Sequence, residues 1–523
     1  MAYDRLAPLD SVFLHVENEH QPLHVGALSY FERGPLLDAE GRFDLARVRR
    51  HIESRLHLVP RFRKRIMTVP FEQGRPVWVD DTEFDLAYHV RLTAIPAPGN
   101  EAQVKLLMDR VQAQMLDRRR PLWELWFVEG VSDDRIALIQ KTHHAMVDGV
   151  SGVDVATVLL DLAPDTADTD PLPWEAQTPP DAATLLVDSL VERASEPAEL
   201  VRSARAMFRG PQKVVERASQ VARAALDMSP SVPRAPWNVP VTPHRRFEPA
   251  RVDLDRAKAL RRAAVALGDD LATTTLNDVV LTACTGAMRR YLLERGDDVP
   301  DGVVFKAMVP VSVRSEEEQL ALGNRVSAIT ADLPVGEDDP LERLRFVHAH
   351  MASRKEMGTA VGVDAIMGAA TYAPPTLLSL ASRLAVRAMP VNTVITNVPG
   401  PQFPLYCMGA RMLEAFPYVC VVDRMAMIIA VLSYDGQLGF GLSGDRSAVP
   451  DLVDLAAAIE AGFTELEAVL LPGQAAPAAA AVRGKGSKGP GRSRAAKTTA
   501  TTGRTKATAA AKGATRRTPK RSA

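Results

Sequence analysis

Cysteine is rare in this sequence. Only three occur among 523 residues, Cys284, Cys407 and Cys420, and they lie far apart. An odd and widely spaced set does not make a disulfide framework, and it is typical of a protein from a reducing compartment. The sequence contains neither a cysteine cluster nor an HExxH pattern. We therefore expect no metal site.

Long hydrophobic runs are also missing. Two apolar stretches are interrupted by charge: "TLLSLASRLAVRAM" contains Arg383 and Arg387, and "YVCVVDRMAMIIAVLSY" contains Asp423 and Arg424. A membrane-spanning helix needs about 18 or more consecutive apolar residues, so we expect no transmembrane segment. The first residues, "MAYDRLAPLD", lack the apolar centre of a signal peptide. A cytoplasmic protein is the expectation.

Acidic residues are absent from the end of the chain. Residues 473–523 contain 13 Lys and Arg and no Asp or Glu, which leaves 50 basic and 64 acidic residues elsewhere, a charge of −14 within a total of −1. With little to bury, this basic tail is expected to be disordered. It resembles nucleic-acid-binding tails but lacks aromatic residues for base stacking. We favour peripheral contact with an anionic inner-membrane or lipid-droplet surface instead.

What remains is a mixture of helical and strand patterns. Residues 22–31 and 135–144 read as strands, while residues 275–296 have helical apolar spacing. A hairpin is predicted to turn at Asp435 and Gly436. The mixture predicts an α/β fold with two lobes. We divide the chain into an N-terminal lobe (1–163), a Pro-rich and then helical connector (164–246), a C-terminal lobe (247–472) and the basic tail (473–523).

The stretch "KTHHAMVDGVSG" at residues 141–152 joins a predicted strand to a predicted helix. Adjacent histidines on a strand point to opposite faces, which does not suit a shared metal ion. One interpretation is a polar junction, in which Asp148 caps the helix and Gly149 supplies an unusual backbone angle. The other is general-base catalysis by a neutral imidazole, with either His143 or His144 facing solvent.

"HHAMVDG" matches the HHxxxDG motif of the condensing acyltransferase superfamily. From about residue 6 to 471, the sequence resembles the bacterial wax ester synthase/diacylglycerol acyltransferase family. The stretches that carry this resemblance are "LAPLDSVFLHVE", "RRPLWELWFVEG", "LNDVVLTACTGAMRRYL", "MVPVSVR", "ITNVPGPQFPLYCMGARM" and "LSYDGQLGFGLSGDRSAVPD". The resemblance implies two chloramphenicol-acetyltransferase-like α/β lobes, joined by a long crossover, with an active-site tunnel between them.

The resemblance also implies the chemistry. The second histidine of the motif is the family's base, which assigns that role to His144, with His143 beside it and Asp148 and Gly149 as structural residues. His144 would deprotonate the acceptor hydroxyl, which then attacks the thioester of acyl-CoA directly. No covalent acyl-enzyme is formed in this mechanism. Acyl-CoA is a co-substrate, and no cofactor is implied.

Other candidate residues have two interpretations each. Asn277, in "LNDVV", matches a family asparagine linked to activity and could donate to an oxyanion. It could equally be a polar residue at a helix start. Pro121, Leu122 and Trp123 form the "PLW" motif, which is described as lining the substrate entrance, but Trp123 could also belong to the core.

The acceptor is open at this stage. Diacylglycerol, giving triacylglycerol, is the favoured acceptor, with a long-chain fatty alcohol as the alternative. A carrier-bound acceptor fits less well, since the chain has no carrier domain. A third hypothesis is a non-catalytic protein that binds lipid surfaces or nucleic acid. The intact motif argues against it, since the sequence keeps His143, His144, Asp148 and Gly149. The oligomeric state is not indicated.

Overall fold

The computed structural model describes residues 3–146, 160–166, 169–192, 232–312, 326–356 and 390–472. Several predicted features lie outside these ranges. They are Asp148, Gly149, the helix expected after them, most of the helical part of the connector, and the basic tail. Within the ranges, helices and strands alternate through both halves of the chain, and the predicted α/β class is confirmed.

Fifteen strands are assigned in the described residues. In chain order they are β1 (Asp4–Arg5), β2 (His24–Glu32), β3 (Lys64–Met67), β4 (Val77–Asp80), β5 (Val90–Ala94), β6 (Trp123–Val131), β7 (Arg135–His143), β8 (Arg245–Asp253), β9 (Phe305–Ser312), β10 (Val326–Leu333), β11 (Thr393–Pro399), β12 (Tyr406–Cys407), β13 (Ala410–Val419), β14 (Met427–Tyr434) and β15 (Gln437–Asp445). The α-helices with fixed bounds are α1 (Pro8–Val16), α2 (Leu45–Glu53), α3 (Leu86–His89), α4 (Glu101–Ala113), α5 (Leu254–Ala266), α6 (Leu276–Arg295), α7 (Pro340–Glu356) and α8 (Leu452–Leu470). None of the helices in the described part of the chain is long and apolar enough to cross a membrane.

The first large sheet has the order β12-β13-β2-β7-β6-β5. Strands β2 and β7 pair antiparallel at its centre, with His24 opposite His143 and Val25 opposite Thr142. Because side chains alternate along a strand, the register fixes which residues share a face. One face packs on helix α4 through residues such as Leu28 and Ile139. The other face is free to line a cavity.

Strands β12 and β13 come from the second half of the chain, yet they complete the first sheet. Strand β13 pairs antiparallel with β2, placing Tyr418 opposite Gly26 and Val419 opposite Val25. The division at residues 246 and 247 therefore does not separate two self-contained sheets. Pairing between such distant segments leaves no local pattern in the sequence.

The second large sheet has the order β10-β9-β11-β14-β15-β8. Helices α5 to α8 pack against it, and their apolar side chains form the largest core cluster together with strand residues such as Ile395 and Ile429. The predicted hairpin is confirmed: β14 and β15 meet at Asp435 and Gly436, which have φ values of 43° and 84°. Positive φ at both positions is the geometry of a type I′ turn.

The two sheets approach each other where β13 passes close to β15. A Cβ atom at Gly439 would lie 2.2 Å from the Ala415 carbonyl oxygen, and one at Gly441 would lie 1.7 Å from that of Pro417. Only glycine allows this approach. Beside the contact, the Arg251 guanidinium donates to Glu414 and Glu101 at 2.6–2.7 Å. These contacts fix the spacing of the two sheets.

Candidate active site

A cavity of about 340 Å³ lies between the two large sheets. Strands from both halves of the chain line it, and most of the side chains are apolar. From the first sheet and its flanking segments come Val25, Ala27, Ser29, Phe62, Leu125, Leu138, Gln140, Thr142, His144 and Ala415, and from the second sheet Pro310, Thr396, Val398, Leu432 and Tyr434. A space of this shape and polarity suits a hydrocarbon chain.

His144 is in the cavity wall. It follows the last residue of β7 in a short 3-10 turn, His144–Met146, and its backbone N–H donates to the Leu23 carbonyl at 2.9 Å. The imidazole stacks on Phe13 with ring centroids 4.0 Å apart and 25° between planes. Burial, with a smaller contribution from neighbouring His143, lowers the pKa of His144 to about 4. The ring is therefore neutral near pH 7 and able to accept a proton.

His143 points to the opposite face, as strand alternation predicts, and is fully buried. The backbone N–H of Ala145 donates to its Nδ1 at 3.0 Å, and its Nε2 lies 3.4 Å from the Glu17 carboxylate. An imidazole whose Nδ1 accepts must carry its hydrogen on Nε2. That hydrogen faces Glu17, so both ring nitrogens of His143 are engaged away from the cavity.

Glu17 is the centre of a buried polar cluster behind the 3-10 turn. Its carboxylate accepts hydrogen bonds from Arg118 at 2.7 and 3.2 Å and from the backbone N–H of Leu23 at 3.1 Å, and it lies 3.5 Å from His24. Burial alone would raise the pKa of Glu17, but its contacts with His143 and His24, at 3.4 and 3.5 Å, outweigh it and hold this pKa far below its usual value. The cluster braces the turn that carries His144.

Lys141 extends this polar layer on the same side of β7. It is buried, and its Nζ donates to the carbonyl oxygen of Val111 at 2.8 Å, and also to that of Gln114. Burial lowers its pKa to about 8. Sequence reasoning missed both Glu17 and Lys141 as site residues. Glu17 ends the quoted stretch "LAPLDSVFLHVE", which was the one signal that could have found it.

The "PLW" residues are buried next to the cavity and do not line it. The Trp123 ring stacks on Phe62 at 4.8 Å and on His89 at 4.5 Å, and its indole N–H donates to the Phe62 carbonyl at 2.8 Å. The Leu122 carbonyl accepts from the His143 N–H at 2.9 Å. Residues 121–123 thus support Phe62 and the histidine turn, and direct substrate contact by them stays a prediction.

Asn277 is the second residue of helix α6 and contacts Asn397, whose Nδ2 donates to the Asn277 Oδ1 at 3.2 Å. Its neighbour Asp278 completes a capping box with Thr275 and lies 2.8 Å from His348. Thr396 and Val398 line the cavity, so Asn397 and its partner Asn277 lie toward the helix-covered face of β11. Asn277 is therefore a polar residue at the start of a helix, which was one of its two interpretations. A role at the oxyanion stays a prediction.

Comparison with known proteins identifies the family to which the chain belongs. The model of the wax ester synthase/diacylglycerol acyltransferase catalytic domain matches residues 6–280, and that of the family's C-terminal domain matches residues 322–467. A probable diacylglycerol O-acyltransferase of Mycobacterium tuberculosis is 35% identical over 470 residues, covering 89% of this chain and 99% of the relative. The chain is an acyltransferase. It belongs to the wax ester synthase/diacylglycerol acyltransferase family.

Solved structures agree with the two-lobed fold. The wax ester synthase/diacylglycerol acyltransferase from Marinobacter aquaeolei superposes with a TM-score of 0.64 at 28% identity, covering 89% of this chain and 99% of that one. The first condensation domain of the calcium-dependent antibiotic synthetase, at 15% identity and a TM-score of 0.53, shares the fold alone. The fold predicted from the HHxxxDG resemblance is confirmed.

Proposed function

We propose that this protein transfers a long-chain acyl group from acyl-CoA to the free hydroxyl of diacylglycerol, with His144 as the general base. The observation that carries the proposal is a neutral imidazole held in the wall of an apolar cavity. Hydrocarbon chains of both substrates suit such a cavity, and a base with a lowered pKa remains unprotonated at neutral pH.

The reaction needs one basic nitrogen that faces the acceptor hydroxyl. Nδ1 of His144 is buried, which leaves Nε2 as the nitrogen that can face the substrate. Nε2 takes the hydroxyl proton as the oxygen attacks the thioester carbonyl. The tetrahedral intermediate then expels CoA as its thiolate, which recovers the proton from the imidazolium. No acyl-enzyme is formed, and in this proposal acyl-CoA is the co-substrate and no metal or cofactor takes part.

His143 and Glu17 act on the base indirectly. Glu17 holds the ring of His143, and Nδ1 of His143 holds the backbone N–H of Ala145, the residue after His144. This chain of contacts fixes the turn, and Phe13 then fixes the ring. His143 is therefore a positioning residue in this proposal. A base held rigidly by buried neighbours loses less entropy on reaching the reactive geometry.

Diacylglycerol is the favoured acceptor because the mycobacterial relatives are named for acylating it. The alternative is a long-chain fatty alcohol, for which wax ester synthases of the family are named. Either acceptor dissolves in membranes or lipid droplets. We propose that the protein works in the cytoplasm as a peripheral protein on such a surface, with the basic tail as an electrostatic tether.

One assay tests the proposal. Radiolabelled long-chain acyl-CoA is offered in parallel with diacylglycerol, hexadecanol and monoacylglycerol in detergent micelles, and the products are separated by thin-layer chromatography. We expect labelled triacylglycerol as the main product and little label in wax ester. Exclusive wax ester formation would replace diacylglycerol with the fatty alcohol, and no transfer to any hydroxyl would reject the proposal.

A further inference from the structure

A row of polar side chains runs from His144 into the largely apolar cavity. Gln140 and Thr142 lie two residues apart on one face of β7, and His144 follows Thr142 by two residues, in the 3-10 turn that begins where the strand ends. All three line the cavity. Leu138, the next residue on this face, is apolar, so the polar row ends there. Gln140 and Thr142 are about 7 Å apart along the strand.

The side chains of Gln140 and Thr142 have no hydrogen-bond partner within the part of the chain that the structure describes. Gln140 is half-buried and Thr142 is buried. One other polar group at this wall is satisfied within the protein: the Tyr434 hydroxyl donates to the Met412 carbonyl and accepts from the Leu405 N–H, both at 2.9 Å. An amide that a bound hydrocarbon chain desolvates without replacing its hydrogen bonds weakens binding.

We propose that Gln140 and Thr142 recognise ester oxygens of the acceptor, and so select a glycerolipid over a plain long-chain alcohol. The inference rests on the proposed function, since it takes the acceptor hydroxyl to lie at His144. A diacylglycerol carries one ester on the carbon next to its reacting carbinol and a second on the carbon beyond. The Thr142 hydroxyl and the Gln140 amide, placed at increasing distance from the base, can donate to those oxygens.

The acyl chain of acyl-CoA and a long-chain alcohol could also occupy this part of the cavity, but they offer Gln140 and Thr142 fewer hydrogen-bond acceptors. Beyond its thioester, an acyl chain presents only methylene groups, and so does a fatty alcohol beyond its hydroxyl. Either would cover the Gln140 amide with hydrocarbon and leave its hydrogens unbonded. A site whose polar groups await a substrate oxygen discriminates against the analogue that lacks it. The polar row therefore distinguishes acceptors that tunnel width alone would not separate.

The test uses three acceptors that each have one primary hydroxyl, in the same detergent micelles: 1,2-dipalmitoylglycerol, its diether analogue 1,2-dihexadecylglycerol, and hexadecanol. Palmitoyl-CoA is the donor, and release of CoA gives kcat/KM for each. For the wild-type chain we expect the diester to exceed the diether about tenfold, the value of one to two net hydrogen bonds. The diether keeps the glycerol shape and the hydroxyl and lacks only the carbonyl oxygens.

The variants are Gln140→Leu and Thr142→Val, which remove the donors with little change in volume. We expect Gln140→Leu to erase most of the diester-to-diether ratio and to leave hexadecanol turnover unchanged or higher, with Thr142→Val showing a smaller change in the same direction. Gln437→Leu is the matched control, because Gln437 is exposed and does not line the cavity. It should leave all three rates as they are.

The outcomes separate the two proposals. Equal use of diester and diether by the wild-type chain overturns the inference while leaving acyl transfer intact. An equal loss on all acceptors in a folded Gln140→Leu protein, checked by its melting temperature, also overturns it, because that pattern indicates a damaged site. If the wild-type chain acylates none of the acceptors, the proposed function fails, and the inference with it.

Discussion

Phe13 stacks on His144 with 4.0 Å between the ring centroids, and thereby joins helix α1 to the 3-10 turn that carries the candidate base. The contact has two consequences. It fixes the plane of the imidazole, and it removes one face of the ring from water. Desolvation of this kind lowers the pKa of a histidine because the charged form is the one that loses hydration.

The first prediction concerns this contact. Phe13→Ala should raise the pKa of His144 from about 4 toward its ordinary value of 6.5 and lower kcat/KM at pH 7 about tenfold. The measurement is the pH dependence of kcat/KM between pH 4 and pH 8, whose acid limb should move to higher pH. Phe13→Leu keeps an apolar cover and should shift less. An acid limb that stays in place would show that Phe13 does not control the base.

The second prediction concerns the carboxylate behind the turn. Glu17→Gln removes the charge that Arg118 and the two histidines share, and should lower the free energy of unfolding by about 1–3 kcal/mol and the turnover about tenfold. Urea unfolding and CoA release measure the two effects. Glu19→Gln is the control, since the Glu19 side chain is 86% exposed. If both variants behave alike, the buried cluster does not support the site.

The third prediction concerns acid stability. His89 is fully buried, and burial lowers its pKa to about 4, against 6.5 when unfolded. Between these values the unfolded chain binds a proton that the folded chain does not, so stability falls as the pH falls through this window. His89→Asn removes this proton uptake. From pH 7 to pH 5 the variant should lose about 2 kcal/mol less unfolding free energy than the wild-type chain. Parallel losses in urea titrations would contradict this.

The fourth prediction concerns the basic tail. A chain that ends at Pro472 should keep its turnover on detergent-dispersed acceptor and lose salt-sensitive binding to anionic vesicles, because each basic residue near such a surface contributes about 1 kcal/mol. Vesicle co-sedimentation at two salt concentrations measures this. Unchanged vesicle binding would rule out the tether. A steeper loss of DNA binding than of lipid binding would favour a nucleic-acid partner.

The features that could be predicted from the sequence are those set by neighbouring residues, such as a turn or the alternation of side chains along a strand. The turn at Asp435 and Gly436 was predictable because few residue pairs accept two positive φ values. The opposite directions of His143 and His144 followed from strand alternation. The pairing of β13 with β2 and the contact of Glu17 with His143 join segments far apart in sequence, and no periodicity encodes them. The functional resemblance came from motifs, which identify residue types and leave their contacts open.

The most direct test of His144 as the base compares two alanine variants. In His144→Ala, triacylglycerol formation from labelled acyl-CoA should fall about 10²–10⁴-fold because the proton acceptor is lost. The melting temperature should change little, since the stacking contact with Phe13 is the packing contact removed with it. In His143→Ala the rate should fall less, and the melting temperature should drop, because the contact with Glu17 is lost. A mild effect at His144 together with a complete loss of activity in a folded His143→Ala protein would contradict the assignment.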